Sequence, residues 1–132
     1  LIALDASALL AIVLDEPEAP TFGPFMLLHD CVLATPTALE AHLGLIRFQS
    51  KTLHDALASV LTSRTVSIVP FDLEHMRIAR LAYERYGRAA KHPARLNFGD
   101  CMSYAVAKKL GAPLLFKGND FIHTDITPAI RP

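Results

Sequence analysis

Four carboxylates in this sequence are placed where they could act as one group. Asp5 follows a short apolar run, Glu40 lies near the start of a helical pattern, Asp100 stands in the first turn of another, and Asp120 comes just after a late apolar run. An open α/β sheet brings the carboxyl ends of its strands and the amino ends of its helices to one crevice, so acids at these positions converge. Crowded carboxylates repel unless a divalent cation neutralises them or some take up protons. Oxygen-only ligation selects hard ions, which predicts Mg²⁺ or Mn²⁺ rather than zinc. An acid-rich metal site of this kind suits phosphodiester hydrolysis, where the metal acidifies the attacking water and stabilises charge on the phosphate and leaving oxygen.

The elements that would hold these acids are marked by the residues around them. Asn97-Phe98-Gly99-Asp100-Cys101 runs from a polar turn into Met102, Tyr104, Ala105, Ala107 and Leu110, which fit a helical face stopped by Gly111 and Pro113. Asn97 is the expected N-cap, which puts Asp100 at the third helical position, where unpaired amides and the helix dipole favour an ionised carboxylate. The same spacing is that of a capping box, so the acid has a structural use as well. Residues 1–4 form an expected strand and 8–14 a buried helix, with either Asp5 or Ser7 as its N-cap. Cys31-Val32-Leu33-Ala34 reads as a second strand, and Thr35-Pro36-Thr37 opens a helix carrying Leu39, Leu43, Ile46 and Phe48. Two registers are open for Glu40. With Thr37 as N-cap it closes a capping box; with Thr35 as N-cap it lies beyond box range and has another role.

The rest of the chain completes an α/β pattern. Residues 18–28 form a helix whose ends Gly23 and Pro24 blur, and 52–63 an amphipathic helix that pairs with the preceding one as a helical arm. Residues 66–69 are a β-branched strand ended by Pro70, after which Asp72 caps a further helix. On it Met76, Ala79, Ala82, Tyr83 and Tyr86 share an arc assigned to the core, while Arg77, Arg80 and Glu84 share one facing solvent or a ligand. Gly87 ends that helix, and a basic loop over 88–95 leads to Asn97. Pro113-Leu114-Leu115-Phe116 is a short buried strand, and the tail, with Pro128 and Pro132, reads as a last edge segment. The expected architecture is a single α/β domain over residues 1–132, a short central, mostly parallel sheet flanked by helices.

Composition narrows the function classes. With 13 basic and 13 acidic residues the net charge is +0, so the chain lacks the basic excess that drives indiscriminate nucleic-acid binding. Its charges are segregated, however: no Lys or Arg precedes Arg47, whereas Arg77, Arg80, Arg85, Arg88, Lys91 and Arg95 follow closely on one another. That order can set a positive rim beside a negative pocket. Cys31 and Cys101 make no disulfide framework and no secretory leader is visible, which predicts a reducing cytoplasm. The apolar opening run is too short to span a bilayer. His29, His42, His54, His75, His92 and His123 show no zinc-ligand spacing, and neither a nucleophile elbow nor a Walker-type loop is present.

Leu4-Asp5-Ala6-Ser7-Ala8-Leu9, Glu40, Leu96-Asn97-Phe98-Gly99-Asp100-Cys101, and Leu114-Leu115-Phe116-Lys117-Gly118-Asn119-Asp120-Phe121 followed by Thr124-Asp125 resemble the successive motifs of a PIN domain. More narrowly, the chain is similar to the VapC-type toxins of bacterial toxin–antitoxin pairs. The resemblance implies a PIN-like fold and a Mg²⁺- or Mn²⁺-dependent endoribonuclease of the bacterial cytoplasm. It also implies a homodimer held inactive by a VapB-type antitoxin, with tRNA or another structured RNA as substrate. Position by position, Asp5, Glu40 and Asp100 match the main acids, with Asp5 and Asp100 as the chief metal ligands. Relatives often carry the fourth acid where this chain has Gly118 or Asn119, so Asp120 takes that place here and Asp125 is the alternative. Ser7 and Asn97 match positions that orient ligands or water, and Arg95 and Lys117 are candidate phosphate contacts.

Two other readings compete with this one. A binding module could use the acids only as helix caps and its Arg-rich helix for a partner, and a metal-dependent nuclease could act on single-stranded DNA instead of RNA.

Overall fold

Alternate strand residues point to opposite faces of the sheet, and in the runs Ile2–Leu4 and Cys31–Ala34 both sets are apolar and buried, so the middle of the sheet is enclosed between two helical layers. The computed structural model describes residues 1–131; Pro132, the end of the expected tail, lies outside the described residues. The chain runs β1 (Ile2–Leu4), α1 (Ala6–Val13), α2 (Ala19–Leu28), β2 (Cys31–Ala34), α3 (Thr35–Leu43), α4 (Lys51–Leu61), β3 (Val66–Val69), α5 (Leu73–Tyr86), α6 (Phe98–Leu110) and β4 (Leu114–Leu115). Short 3-10 turns at Ile46–Phe48 and Arg88–Ala90 join α3 to α4 and follow α5. Strand order is β3-β2-β1-β4, and all pairings are parallel. Ile2 and Leu4 of β1, Cys31 and Leu33 of β2 and Leu115 of β4 pack with Leu9, Phe22, Met26 and Leu57 in one core. Ala3, Val32, Ala34 and Leu114 face the other core, with Ala79, Ala82 and Tyr86 of α5 and Ala105 and Val106 of α6.

The winding sets the position of the site. From β1 the chain steps outward to β2 and β3, then returns to place β4 on the opposite side of β1. Such a reversal leaves a crevice at the carboxyl ends of the two strands that flank it. The Asp5 amide, at the end of β1, donates to the Leu115 carbonyl of β4 at 3.0 Å, fixing that edge of the crevice.

Several local expectations change. α6 was expected to bury one face, yet every residue from Asp100 to Ala107 is buried, because the helix is packed against α3, α5, β1 and β2. Small side chains at Ala105 and Ala107 permit that approach. Neither Thr35 nor Thr37 is the N-cap of α3: Ala34 holds that position without a side-chain hydrogen bond, and Thr35 and Pro36 are already helical. Glu40 is therefore out of reach of any capping box. Of the α5 residues assigned to the core, Met76 and Tyr83 are exposed, while the small Ala79 and Ala82 make the close contact to α6. The tail makes a single parallel bridge, Leu114 to Pro128, rather than a strand. Among the described residues no helix is long and apolar enough to cross a membrane.

Candidate active site

Asp5 is the N-cap of α1, where its Oδ2 accepts from the Ser7 amide at 3.1 Å and from the Ser7 hydroxyl. Its other oxygen, Oδ1, accepts from the Ser103 hydroxyl at 2.6 Å. Ser103 has no exposed surface and stands one turn after Asp100 on α6, so a single side chain ties the helix that carries one acid to the strand end that carries another. Sequence reasoning missed Ser103. Its i+3 spacing from Asp100 is the one signal that could have marked it, since residues three apart share a helix face. Ser7 also acts as an acceptor. Its hydroxyl oxygen takes the Lys117 amide at 3.0 Å, which pins the chain leaving β4 beside Asp5.

Asp100 and Asn97 form a reciprocal capping box. Asn97 Oδ1 accepts from the Asp100 amide at 2.8 Å, and Asp100 Oδ2 accepts from the Asn97 amide at 3.0 Å. The box fixes the Asp100 rotamer with one oxygen and leaves Oδ1 outside the cap. Glu40 approaches from α3 across Gly99. A Cβ on Gly99 would lie 1.7 Å from Glu40 Oε2, so the missing side chain is what lets that carboxylate reach the mouth of α6.

The electrostatics are those of acids crowded together. Burial pushes the Asp100 carboxyl up to about 7 against the pull of its hydrogen bond from the Asn97 amide, and the charges of Asp5, Asp120 and Glu40 add to the rise. Glu40 is also pushed up to about 7, by burial first and by the charge of Asp5 second. The structure thus brings Asp5, Glu40 and Asp100 together, with Asp120 exposed at the rim.

The remaining candidates lie elsewhere or stand free. Asp125 accepts from the Tyr104 hydroxyl at 2.8 Å and from Lys108 Nζ at 2.9 Å, toward the far end of α6, and so has a structural partner set of its own. Lys117 Nζ is held by Glu16 at 2.9 Å and Glu18 at 3.3 Å, which occupies the cation expected to meet phosphate. Arg95 is exposed, and its backbone is left-handed with φ of 51°, between the buried Ala94 and Leu96.

The donor set fits a hard divalent cation. Its atoms are carboxylate oxygens, and no three His, Cys, Asp or Glu side chains among the described residues close into a ready-made cage. Mg²⁺-type sites need no such cage, because the ion keeps several waters and uses one or two carboxylates. Thr37, one turn before Glu40 on α3, has the one buried side-chain oxygen among the described residues without a hydrogen-bond partner. A hydroxyl at that depth calls for an ordered water or ligand oxygen.

Comparison with known proteins agrees with this geometry. Residues 2–126 match the PIN domain family. Ribonuclease VapC28 of Mycobacterium tuberculosis is 37% identical over 128 residues, 96% of each chain. Ribonuclease VapC30 of the same organism is 38% identical over 130 residues, 98% of each chain. In fold, the chain superposes on the crystal structure of M. tuberculosis VapC20, described as a sarcin–ricin loop cleaving toxin, with a TM-score of 0.76 over all of both chains at 20% identity. At this identity over nearly its whole length, the chain belongs to the PIN-domain family, in its VapC branch.

Proposed function

We propose that this protein is a Mg²⁺- or Mn²⁺-dependent endoribonuclease toxin, with Asp5 and Asp100 as metal ligands and Glu40 and Asp120 completing the acidic site. One observation carries the reading: three buried or half-buried carboxylates meet at the β1–β4 crevice, and two of them, Glu40 and Asp100, are raised to about 7 by burial first and by the charge of Asp5 among others. A divalent cation held there would acidify water and offset charge on the scissile phosphate and leaving oxygen. The protein's own contribution is to fix the acids. Ser7 and Ser103 immobilise Asp5, the Asn97 cap immobilises Asp100, and Gly99 admits the Glu40 carboxylate to the mouth of α6. Preorganised positioning of this kind is what lets a metal site act without reorganising during the reaction.

Regulation by a VapB-type antitoxin in a bacterial cytoplasm, and assembly as a homodimer, belong to the same proposal. The helical arm supports the antitoxin reading: Leu39, Leu43 and Ile46 are exposed at spacings of four and three residues, and Phe48 is exposed beside them. An amphipathic partner helix is recognised by such a stripe.

The test is cleavage of a panel of tRNAs, structured RNAs and single-stranded DNA with Mg²⁺, Mn²⁺ or EDTA. Asp100→Asn keeps an acceptor for the Asn97 amide and removes a buried charge, so its melting temperature stays at or above wild type in EDTA while cleavage is lost. Retained RNA cleavage by that variant would overturn the assignment, and selective cleavage of the DNA would overturn the substrate class.

A further inference from the structure

Two of the chain's six histidines meet on the helical arm. His42, near the end of α3, and His54, in α4, face each other with their Nδ1 atoms 2.9 Å apart. The rings lie within 5° of parallel with centroids 5.2 Å apart, so they meet end to end through these nitrogens rather than face to face. We infer that His42 and His54 form a binding site for a divalent transition-metal ion, Ni²⁺ or Cu²⁺, which joins α3 to α4. Its ligands are nitrogens where the acidic centre offers oxygens, and it does not depend on the ribonuclease reading.

Geometry is the first argument. Imidazole nitrogens bind a first-row ion at about 2.0–2.1 Å, so two of them at right angles around it stand about 2.9 Å apart. That is the spacing of the pair. Right-angled ligands belong to the square-planar or tetragonal arrangement of Cu²⁺ and Ni²⁺, whereas tetrahedral zinc needs a wider pair. Both residues are half-buried, which leaves each ring an open side on which to turn its lone pair toward a shared ion.

The second argument is what surrounds the pair. Two neutral imidazoles joined at Nδ1 share one proton between two lone pairs, and an ion in place of that proton takes both. Other histidines are differently engaged: His29 Nδ1 meets the Phe25 carbonyl at 2.8 Å, while His75 and His92 accept through Nδ1 from the Asp72 and Ala94 amides, each at 3.1 Å. Their nitrogens are thus occupied by nearby backbone. No fixed positive charge opposes an ion at the arm. α1, which packs against both α3 and α4, has no charged residue from Ala6 to Val13, and α3 has no Lys or Arg. Lys51 of α4 is held by Asp55 at 2.7 Å, and Arg47 of the connecting turn lies over the Phe48 ring.

Calorimetric titration of Ni²⁺ into protein without an affinity tag, in the presence of Mg²⁺, reads the site. His42→Ala and His54→Ala are each expected to weaken binding about tenfold or more, since even the outer partners of metal ligands carry that much. His123→Ala and Asp100→Asn keep wild-type affinity. Circular dichroism checks that the variants stay folded, and His54→Asn reads the same loss where alanine disturbs the arm. With Cu²⁺, the electron paramagnetic resonance spectrum of the wild type shows coupling to two imidazole nitrogens, and that of either histidine variant to one at most. A wild-type protein that binds neither ion overturns the inference and leaves the pair joined by a shared proton alone. Affinity that survives both histidine variants, or that is lost in Asp100→Asn, overturns it as well.

Discussion

Gly99 links a single residue type to the whole site. It sits in the first turn of α6 with ordinary helical geometry, so its lack of a side chain serves the approach of Glu40 and not backbone freedom. Gly99→Ala is expected to leave the fold intact, because the obstructing atoms are the far end of a Glu side chain that can swing, and alanine favours the helix by about 0.8–1.0 kcal/mol. Cleavage should nevertheless fall about a hundredfold, the scale of a 1 Å misplacement, as measured by initial rates in Mn²⁺ beside a thermal melt. The acids also give the metal-free protein an unusual response to pH. A carboxyl whose pKa is higher folded than unfolded binds more protons when folded, so stability falls as pH rises between the two values. Those windows run from 3.8 to about 7 for Asp100 and from 4.5 to about 7 for Glu40. Asp72 works in the opposite sense, held down to about 2 chiefly by its hydrogen bond from Lys109, but its stabilisation is lost only as pH falls below its ordinary value of 3.8. In EDTA the melting temperature should therefore drop as pH is raised from about 5 to about 7, and saturating Mn²⁺ should flatten or reverse that slope. A melting temperature that rises over this range in EDTA would contradict the raised pKa values.

At the scale of elements, the sequence carried the alternation of strands and helices because strand runs such as Val66–Val69 are short, β-branched and ended by a clear stop signal, here Pro70. The start of α3 was not legible for a definite reason. The chain passes directly from β2 into the helix, with Ala34 as a cap that has no hydrogen-bonding side chain to announce it. α5 misled in another way: a helical arc shows which residues lie on one side, but not how far along that side the neighbouring helix reaches. Met76 and Tyr83 lie at the flank that α6 leaves open, and they became walls of a groove. Asp5, Asp100 and Asp120 were visible as residue types at strand ends and a helix mouth, whereas Glu40 lies inside α3 and not at its start. What sequence order could not show was which charges already had partners, and so Asp125 and Lys117 stood among the candidates although Lys108, Tyr104, Glu16 and Glu18 engage them. The helical arm yields its own prediction. Leu43→Lys replaces an exposed apolar residue on α3 and should leave cleavage and melting close to wild type, while weakening co-purification with a VapB-type antitoxin by about tenfold or more. Undiminished co-purification would move the antitoxin contact off the arm.

At the scale of the whole molecule, the site is closed by contacts between distant parts of the chain. Asp5 and Ser103 are 98 positions apart, and Ser7 accepts from Lys117 across 110. Membership of the PIN-domain family accounts for the topology, and the motifs quoted from the sequence were sufficient to name it; Ser103 and the Gly99–Glu40 approach belong to long-range geometry that no local pattern encodes. β1 lies between β2 and β4, so β1 gains its second neighbour only from β4, which is made after β2 and β3. Domains emerge from the ribosome amino end first, at about 5–20 residues per second. While the chain is being synthesised, Asp5 thus waits with the Ser7 hydroxyl but without that of Ser103, and Asp100 does not yet exist to face it. A chain stopped before Ser103 lacks the hydroxyl that holds Asp5 Oδ1, so the centre is assembled only after both segments have been made.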